Sequence, residues 1–356
     1  MRIALAYTGG TIGSVGQPLD PMPAAQFRDW WARKIAPELP EGVAPFWIDF
    51  DPPLDSSQAE PTDWARLTRT VLSAAKVGAD AVVLLHGTDT MAASAAALGY
   101  MTTLLDTSGA PIARLDIPVV LTGAQRPLFD DAGNIREGTD AFTNVMDALS
   151  RMRGMEPGVH LVFAGGTYPG PRVLKVSTLE DHAFDCPNGP VRAATLPAAD
   201  PSALIDQLDE LAPELGHRAV IAVGPTPNPP SALAAGLAGV VSALGERLGA
   251  ILLLGYGTGN IPAPRQVAPQ LRAARARGIM IAIGTQVPAG AVAPDIYGAG
   301  SWLGEIGVLP TGDMTMPAAQ AKLHVTLALA ATRHWSDAEA EAFFTRPIAG
   351  ELGARP

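Results

Sequence analysis

Two segments decide the fold: Ile3-Ala4-Leu5-Ala6-Tyr7-Thr8-Gly9-Gly10-Thr11-Ile12-Gly13 and Ala81-Val82-Val83-Leu84-Leu85-His86-Gly87-Thr88-Asp89-Thr90. Each opens as an unbroken apolar run and then breaks into glycines and hydroxyl residues. An apolar run this short, with no polar alternation, is a strand covered on both faces, and the glycines mark the loop that leaves its carboxyl end. Further runs of the same kind stand at Phe46–Phe50, Pro118–Leu121 and Val159–Phe163, separated by stretches of helical period at Pro23–Lys34, Thr62–Ala75, Thr90–Thr103 and Gly138–Arg151. Alternating strands and crossover helices predict an α/β fold with a larger N-terminal, mostly parallel sheet flanked by helices, whose functional loops lie at the carboxyl edge.

From Gly189 to Gly216 the rhythm weakens, with room for one helix at Ser202–Leu211. It resumes with strands at Ala219–Val223, Ala250–Leu254 and Ile279–Ile283, and helices at Ser231–Leu244, Ala268–Arg277, Met316–Ala331 and Asp337–Phe344. The expected organisation is an N-terminal α/β domain over 1–190, a linker over 191–216 and a smaller C-terminal α/β domain over 217–356, a size that suits a chain of 356 residues.

Composition narrows the function. The formal charge is −10, from 35 acids against 25 bases, which disfavours a nucleic-acid partner. The longest apolar run, Ala250 to Leu254 with its flanks, is far too short to span a membrane, and Met1-Arg2 leads straight into a strand without a signal sequence, so a cytoplasmic protein with an intact N-terminus is expected. Cys186 is the single cysteine and the six histidines are scattered, so neither a metal nor any other cofactor is indicated.

The chemistry points to the loops. Thr11 and Thr88 follow two different strands of one sheet, so their hydroxyls converge on the same edge. Threonine attacks only when a neighbour takes its proton, and Asp89 is adjacent to Thr88; the alternative is that Thr88 or Asp89 merely caps the helix that begins at Thr90. Lys175, in Pro171-Arg172-Val173-Leu174-Lys175, is one of 4 lysines against 21 arginines, and unlike arginine it can act as a base when buried; otherwise it is a surface charge on a strand. Asp55-Ser56-Ser57-Gln58 offers a hydroxyl and a carboxamide suited to a small zwitterion, or is an ordinary polar turn. A dinucleotide loop fits neither glycine segment: after Gly10 the spacing is wrong and Pro18 intervenes, and after Gly259 Pro262 and Pro264 stand where a helix would begin.

Taken together, Thr8-Gly9-Gly10-Thr11-Ile12, Asp55-Ser56-Ser57-Gln58, His86-Gly87-Thr88-Asp89-Thr90 and the segment ending at Lys175 resemble the bacterial L-asparaginase and glutaminase-asparaginase family over nearly the whole chain. The resemblance implies that Thr11, Thr88, Asp89 and Lys175 are catalytic, that Ser57 and Gln58 bind the α-carboxylate and α-ammonium of the substrate, and that Asp89 also meets the ammonium. Gly123-Ala124-Gln125-Arg126-Pro127 resembles the family's third loop, which brings the backbone near Ala124 to the substrate amide. Gly255-Tyr256-Gly257-Thr258-Gly259-Asn260 resembles a loop that reaches into a neighbouring subunit, so Asn260 would complete that neighbour's site in a homodimer or homotetramer. Ala183-Phe184-Asp185-Cys186-Pro187-Asn188 and the absent signal sequence are similar to the cytoplasmic, type I branch.

The implied reaction is hydrolysis of L-asparagine to L-aspartate and ammonia through a threonine nucleophile and an acyl-enzyme; the residues alone leave open whether Thr11 or Thr88 attacks first. Two departures stand out. No tyrosine lies between Thr11 and Trp30, where the family's lid carries one, and Asp295 is not aligned with the acid that some members supply from an adjacent subunit. The rival readings are a glutaminase or broader ω-amidase and, from another class, a non-catalytic amino-acid sensor.

Overall fold

The structure, a computed structural model, describes residues 1–262, 264–293 and 298–353. Its first sheet contains β1 (Ile3–Tyr7), β2 (Phe46–Trp47), β3 (Ala81–Leu85), β4 (Pro118–Thr122), β5 (Gly158–Phe163) and β6 (Gly166–Pro169), ordered β6-β5-β4-β3-β1-β2. All neighbours are parallel except β6, which turns back on β5. Every residue of β1, β3 and β4 is buried, because helices cover both faces. Alternate residues point to opposite sides. Leu5, Tyr7, Val83 and Leu85 pack against α1 (Ala24–Lys34) and, later in the chain, a helix at Ala141–Ser150. Ala4, Ala6, Val82 and Leu84 pack against α2 (Pro61–Lys76) and α3 (Met91–Met101). The Ala141–Ser150 helix is α4.

This strand order has a functional consequence. The chain leaves β1 for β2 on one side, then crosses back over β1 to β3 on the other, so the loops after β1 and β3 diverge at the topological switch point. Ligands of open α/β sheets bind in that crevice. The loops bearing Thr11 and Thr88 flank it.

The second sheet is parallel and in chain order: β7 (Ala219–Val223), β8 (Leu248–Gly255), β9 (Met280–Thr285) and β10 (Leu309–Pro310). Before it, α5 (Pro201–Leu211) buries Leu204, Leu208 and Leu211 in the core that α2 also lines, so the segment around it is packed rather than loose. On the second sheet, α6 (Pro230–Leu244) and α7 (Pro264–Arg275) cover one face. The other face meets α8 (Met316–Thr332), which also packs on α3, so that Ala318, Leu323, Val325 and Leu329 share one core with Ala250, Leu252, Met280 and Ala282. A helix sandwiched between two layers is apolar nearly all round. Its one charged residue, Lys322, is fully buried, and its ammonium pairs with Glu351 and the Arg346 carbonyl. The closing helix α9 (Asp337–Thr345) begins with a capping box formed by Ser336 and Glu339.

Several boundaries depart from expectation. β2 stops at Trp47 rather than Phe50, short of Pro52-Pro53, although Ile48 N–H still donates to the Leu5 carbonyl at 3.0 Å. The helix expected from Ala268 begins at Pro264. Proline is well suited to a first helical position, where its missing N–H is not needed, so Pro264 opens a helix after Asn260 instead of denying one. Thr90, not Thr88 or Asp89, stands at the N-cap of α3, and no side chain caps it.

The loops at the carboxyl edge interlock through backbone that has no side chains between. A Cβ on Gly10 would lie 2.1 Å from Gly87 Cα, and one on Gly9 2.1 Å from the Leu54 carbonyl oxygen. On Gly87 it would meet Ser56 Oγ at 2.2 Å, and on Gly123 the His86 carbonyl oxygen at 2.2 Å. Gly10 also has φ of 81°, a region that favours glycine.

This packing makes stability testable at two places. Gly10→Ala is expected to destabilise the fold in urea by about 2 kcal/mol or more, through both overlap and backbone strain. Gly138→Ala, at φ 69° with nothing within 4 Å, serves as the strain-only control and should cost less. The second place is His324, which packs edge-on against Trp64 at 5.6 Å with its Nδ1 buried and unpartnered. Burial pushes its pKa from 6.5 down to about 4. Below pH 6.5 the unfolded chain binds a proton that the folded chain refuses until about pH 4, so this contribution is full above 6.5 and declines across that window, by at most about 1.4 kcal/mol per pH unit. The stability of the wild type relative to His324→Leu should therefore fall between about pH 7 and pH 5; a constant difference would show that the imidazole titrates alike in both states.

Candidate active site

Thr88 is carried by the loop after β3 and is nearly inaccessible, at 5% exposure. Its Oγ1 accepts a hydrogen bond from Lys175 Nζ at 2.9 Å, and the same nitrogen donates to Asp89 Oδ1 at 2.8 Å. The lysine side chain is 18% exposed and the aspartate side chain 60%, so the ammonium is held between a buried hydroxyl and a solvent-facing carboxylate. Neither bland reading of the sequence survives this geometry: Thr88 and Asp89 are joined to Lys175 rather than capping α3, and Lys175 is not a free surface charge. An amine in hydrogen-bond contact with a hydroxyl is placed to exchange a proton with it, and the carboxylate holds the amine in that position.

Lys175 reaches this place on a two-stranded ribbon, Leu174–Lys175 paired antiparallel with Phe184–Asp185. Three residues before it, Arg172 is 1% exposed. Its guanidinium donates to the carbonyls of Gly189 at 2.6 Å, Asn188 at 2.8 Å and Glu351 at 2.9 Å, and to the Asp313 carboxylate at 2.8 Å. That fork ties the base of the ribbon to the C-terminal segment. The sequence does not single out Arg172 as a site residue, since its partners lie as far as 179 positions away.

Thr11 sits half-buried in a single helical turn, Thr11–Gly13, directly after Gly10. Among the described residues its hydroxyl has no hydrogen-bond partner, so no replacement for the absent lid tyrosine bonds to it there. Tyr7 supports the turn from below. Its ring stacks on Phe27 at 4.1 Å and its hydroxyl donates to the Gly13 carbonyl at 3.2 Å; burial holds the phenol far above its ordinary pKa, so it stays protonated. The loop continues into a short hairpin, Ser14–Val15 against Asp20–Pro21.

The third loop is secured by α4. The Asp140 carboxylate accepts the backbone N–H groups of Gln125 at 2.8 Å and Arg126 at 2.9 Å, while Asn144 donates to the Gly123 carbonyl at 3.0 Å. Ala124 between them is buried. His86 is also buried, which lowers its pKa and keeps the imidazole neutral; Nδ1 lies 2.7 Å from the Gly87 carbonyl oxygen, making His86 a prop for the Thr88 loop.

Ser57 and Gln58 are exposed and both bond to Asp55. Ser56 connects them to the Thr88 loop, packing on Gly87 and accepting the Thr90 hydroxyl at its carbonyl, 2.9 Å. The edge of the first sheet thus brings together Thr11, Ser57, Gln58, Thr88, Asp89, Ala124 and Lys175. Asn260 lies in a turn closed by the Tyr256–Asn260 bridge at the end of β8, and its Oδ1 is buried without a partner. Asp295 lies outside the described residues. A cavity of about 630 Å³ is lined by Arg114, Glu156, His160 and Arg192 among others and by none of these loop residues. No group of residues suited to holding a metal ion occurs among the described residues, nor is any described helix long and apolar enough to cross a membrane.

Known proteins resemble this chain in sequence and fold. Residues 2–198 match the family described as Asparaginase, N-terminal, and residues 232–343 match the Glutaminase/Asparaginase C-terminal domain. L-asparaginase 1 of Escherichia coli strain K12 is 31% identical over 338 residues, covering 91% of each chain. The solved thermostable L-asparaginase from Thermococcus kodakarensis superimposes with a TM-score of 0.76 at 28% identity, covering 99% of this chain and 100% of that one. L-asparaginase I from Vibrio cholerae gives a TM-score of 0.74 at 27% identity, covering 99% of each. With both of its parts matched and its sheet order accounted for, this chain belongs to the asparaginase family.

Proposed function

We propose that this amidohydrolase converts L-asparagine to L-aspartate and ammonia, with Thr11, Thr88, Asp89 and Lys175 as its catalytic residues. The observation that carries the reading is the hydrogen-bonded chain Asp89–Lys175–Thr88, set beside the Thr11 turn at the switch point of the first sheet. Hydrolysis of an amide by a hydroxyl needs a nucleophile, a group that moves its proton and donors for the developing oxyanion. Thr11 Oγ1 attacks the side-chain carboxamide carbon, and its proton passes by way of Thr88 and Lys175 to the leaving nitrogen, which departs as ammonia. A water then adds to the resulting ester, returning the proton to Thr11 Oγ1 and releasing the carboxylic acid. Backbone N–H groups after Gly87 supply the donors for the oxyanion, and the backbone near Ala124 faces the substrate amide. Ser57, Gln58 and Asp89 hold the α-substituents of the amino acid.

Within this reading, residues 1–190 supply the catalytic loops, residues 191–216 join the parts, and residues 217–356 supply Asn260. Asn260 completes the site of a neighbouring subunit, which makes the enzyme a homodimer or homotetramer of the type I, cytoplasmic kind. L-Glutamine is the competing substrate; one methylene is discriminated by only about 1–3 kcal/mol in an apolar pocket.

Ammonia release from L-asparagine and L-glutamine at equal concentration, with wild type, Thr88→Val and Thr11→Val, tests the proposal. Turnover of L-asparagine by the wild type, reduced at least about 100-fold in each variant, is expected. Either variant retaining near-wild-type turnover removes that threonine from the mechanism. Binding of L-asparagine without ammonia release would favour a sensor instead, and faster release from L-glutamine would reassign the substrate.

A further inference from the structure

The Thr11 hydroxyl has no partner among the described residues, so its place is set by the backbone of its own turn. That backbone is held by a segment to which the reaction above gives no part. After Pro127 the third loop continues into a turn closed by the Phe129–Ile135 bridge. Two contacts run from it to the segment that carries Thr11. Leu128 N–H donates to the Ile12 carbonyl at 2.9 Å, immediately past Thr11. Further on, Gly16 N–H donates to Asp131 Oδ1 at 3.0 Å, at the tip of the hairpin formed by Ser14–Val15 and Asp20–Pro21.

The turn that makes these contacts is itself well supported. Phe129 is fully buried, its ring 5.7 Å from that of Phe27 and 5.5 Å from that of Trp30. Asp130 Oδ1 accepts the backbone N–H groups of Ala132 at 3.0 Å and Asn134 at 2.8 Å. Asn134 Oδ1 in turn accepts Lys34 Nζ, at the end of α1, at 3.1 Å. Gly133 lies against Trp30, where a Cβ would come within 2.8 Å of the indole. Asp131 takes no part in this support: it is exposed, and Gly16 is the only hydrogen-bond partner of its carboxylate among the described residues. Its backbone is fixed by its neighbours, and its side chain acts on the hairpin tip alone.

We propose that Asp131 is a positioning residue: it pins Gly16 while Leu128 pins Ile12, and together they fix the Thr11 turn against the third loop. The distance from the Thr11 hydroxyl to the substrate amide is thereby set from outside the site. The proposal rests on the asparaginase reading and extends it to a residue that touches neither the substrate nor the reacting atoms. Misplacing a reacting group by about 1 Å costs up to about 100-fold in rate, so a smaller displacement of the turn is still visible in turnover.

Two readouts on wild type, Asp131→Ala and Asp131→Asn provide the test. Amide hydrogen exchange of a peptide covering residues 12–21 needs no substrate and reports the Gly16 bond directly. The second readout is kcat and KM for ammonia release from L-asparagine, per folded enzyme. Asp131→Ala removes the acceptor and is expected to speed exchange at Gly16 about tenfold, the scale of a lost hydrogen bond to a charged group. In the same variant kcat should fall about fivefold or more with KM unchanged, since only the reacting geometry is disturbed. Asp131→Asn keeps a carbonyl oxygen in the same place and should stay within about twofold of wild type in both readouts. A general loss of stability would instead speed exchange across the first sheet and lower the urea midpoint. Unchanged exchange or unchanged kcat in Asp131→Ala, or an Asp131→Asn enzyme as slow as Asp131→Ala, overturns the proposal and leaves the asparaginase reading intact. A wild type that releases no ammonia from L-asparagine overturns that reading, and the positioning role with it.

Discussion

The contact between the backbones of Gly10 and Gly87 is the constraint on which the carboxyl edge of the first sheet depends. With no side chains between them, the loops after β1 and β3 close to a separation that a single methyl group would prevent, and the hydroxyls of Thr11 and Thr88 are carried in with them. The same device recurs outward from that point: Gly9 against Leu54, Gly87 against Ser56, Gly123 against His86. Four loops from four strand ends become one rigid rim. Precision of this kind matters because a displacement of about 1 Å in a reacting group costs orders of magnitude in rate.

A second constraint fixes the group that reaches the rim from elsewhere. Lys175 lies on a short ribbon with little core of its own, and a two-stranded ribbon is marginal alone. It is held by the buried Arg172 fork, whose partners Glu351 and Asp313 belong to the C-terminal part of the chain. Glu351 in turn receives the buried ammonium of Lys322 from α8. Breaking a buried ionic contact of this sort leaves an uncompensated charge and is strongly destabilising. The C-terminal segment thereby acts on the first-sheet site through a path of hydrogen bonds, Glu351 carbonyl to Arg172 to ribbon, in addition to the packing of α8 between the two sheets.

How much of this is legible in the sequence depends on whether the determining contacts are local. β1, β3 and β7 occur at the expected residues, because an apolar run ended by glycine or a polar turn encodes a buried strand directly. Thr11, Thr88, Asp89 and Lys175 are likewise named by their loops, and the structure joins the last three through hydrogen bonds. β2 is shorter than the expected Phe46–Phe50 run, in which the charged Asp49 interrupts the apolar residues just past the end of the strand. The start of α7 falls earlier than expected because proline reads as a breaker where it opens a helix. Asp55 has no role of its own in the sequence, which displays a carboxylate but not which hydrogens it will collect. Tyr7 and Arg172 carry no local signal for another reason: one is the last residue of an ordinary strand, and the other has partners brought near only by the completed fold.

The central claim is that Thr88 and Lys175 act as one proton-handling unit, and a double-mutant cycle tests it most directly. The kcat/KM for ammonia release from L-asparagine is measured for wild type, Thr88→Val, Lys175→Met and the variant carrying both changes. If the 2.9 Å hydrogen bond is the working contact, each single change removes the unit's function and the double variant is no worse than the more damaged single one, within about threefold. Losses that multiply in the double variant, or a Lys175→Met enzyme close to wild type, would contradict the account.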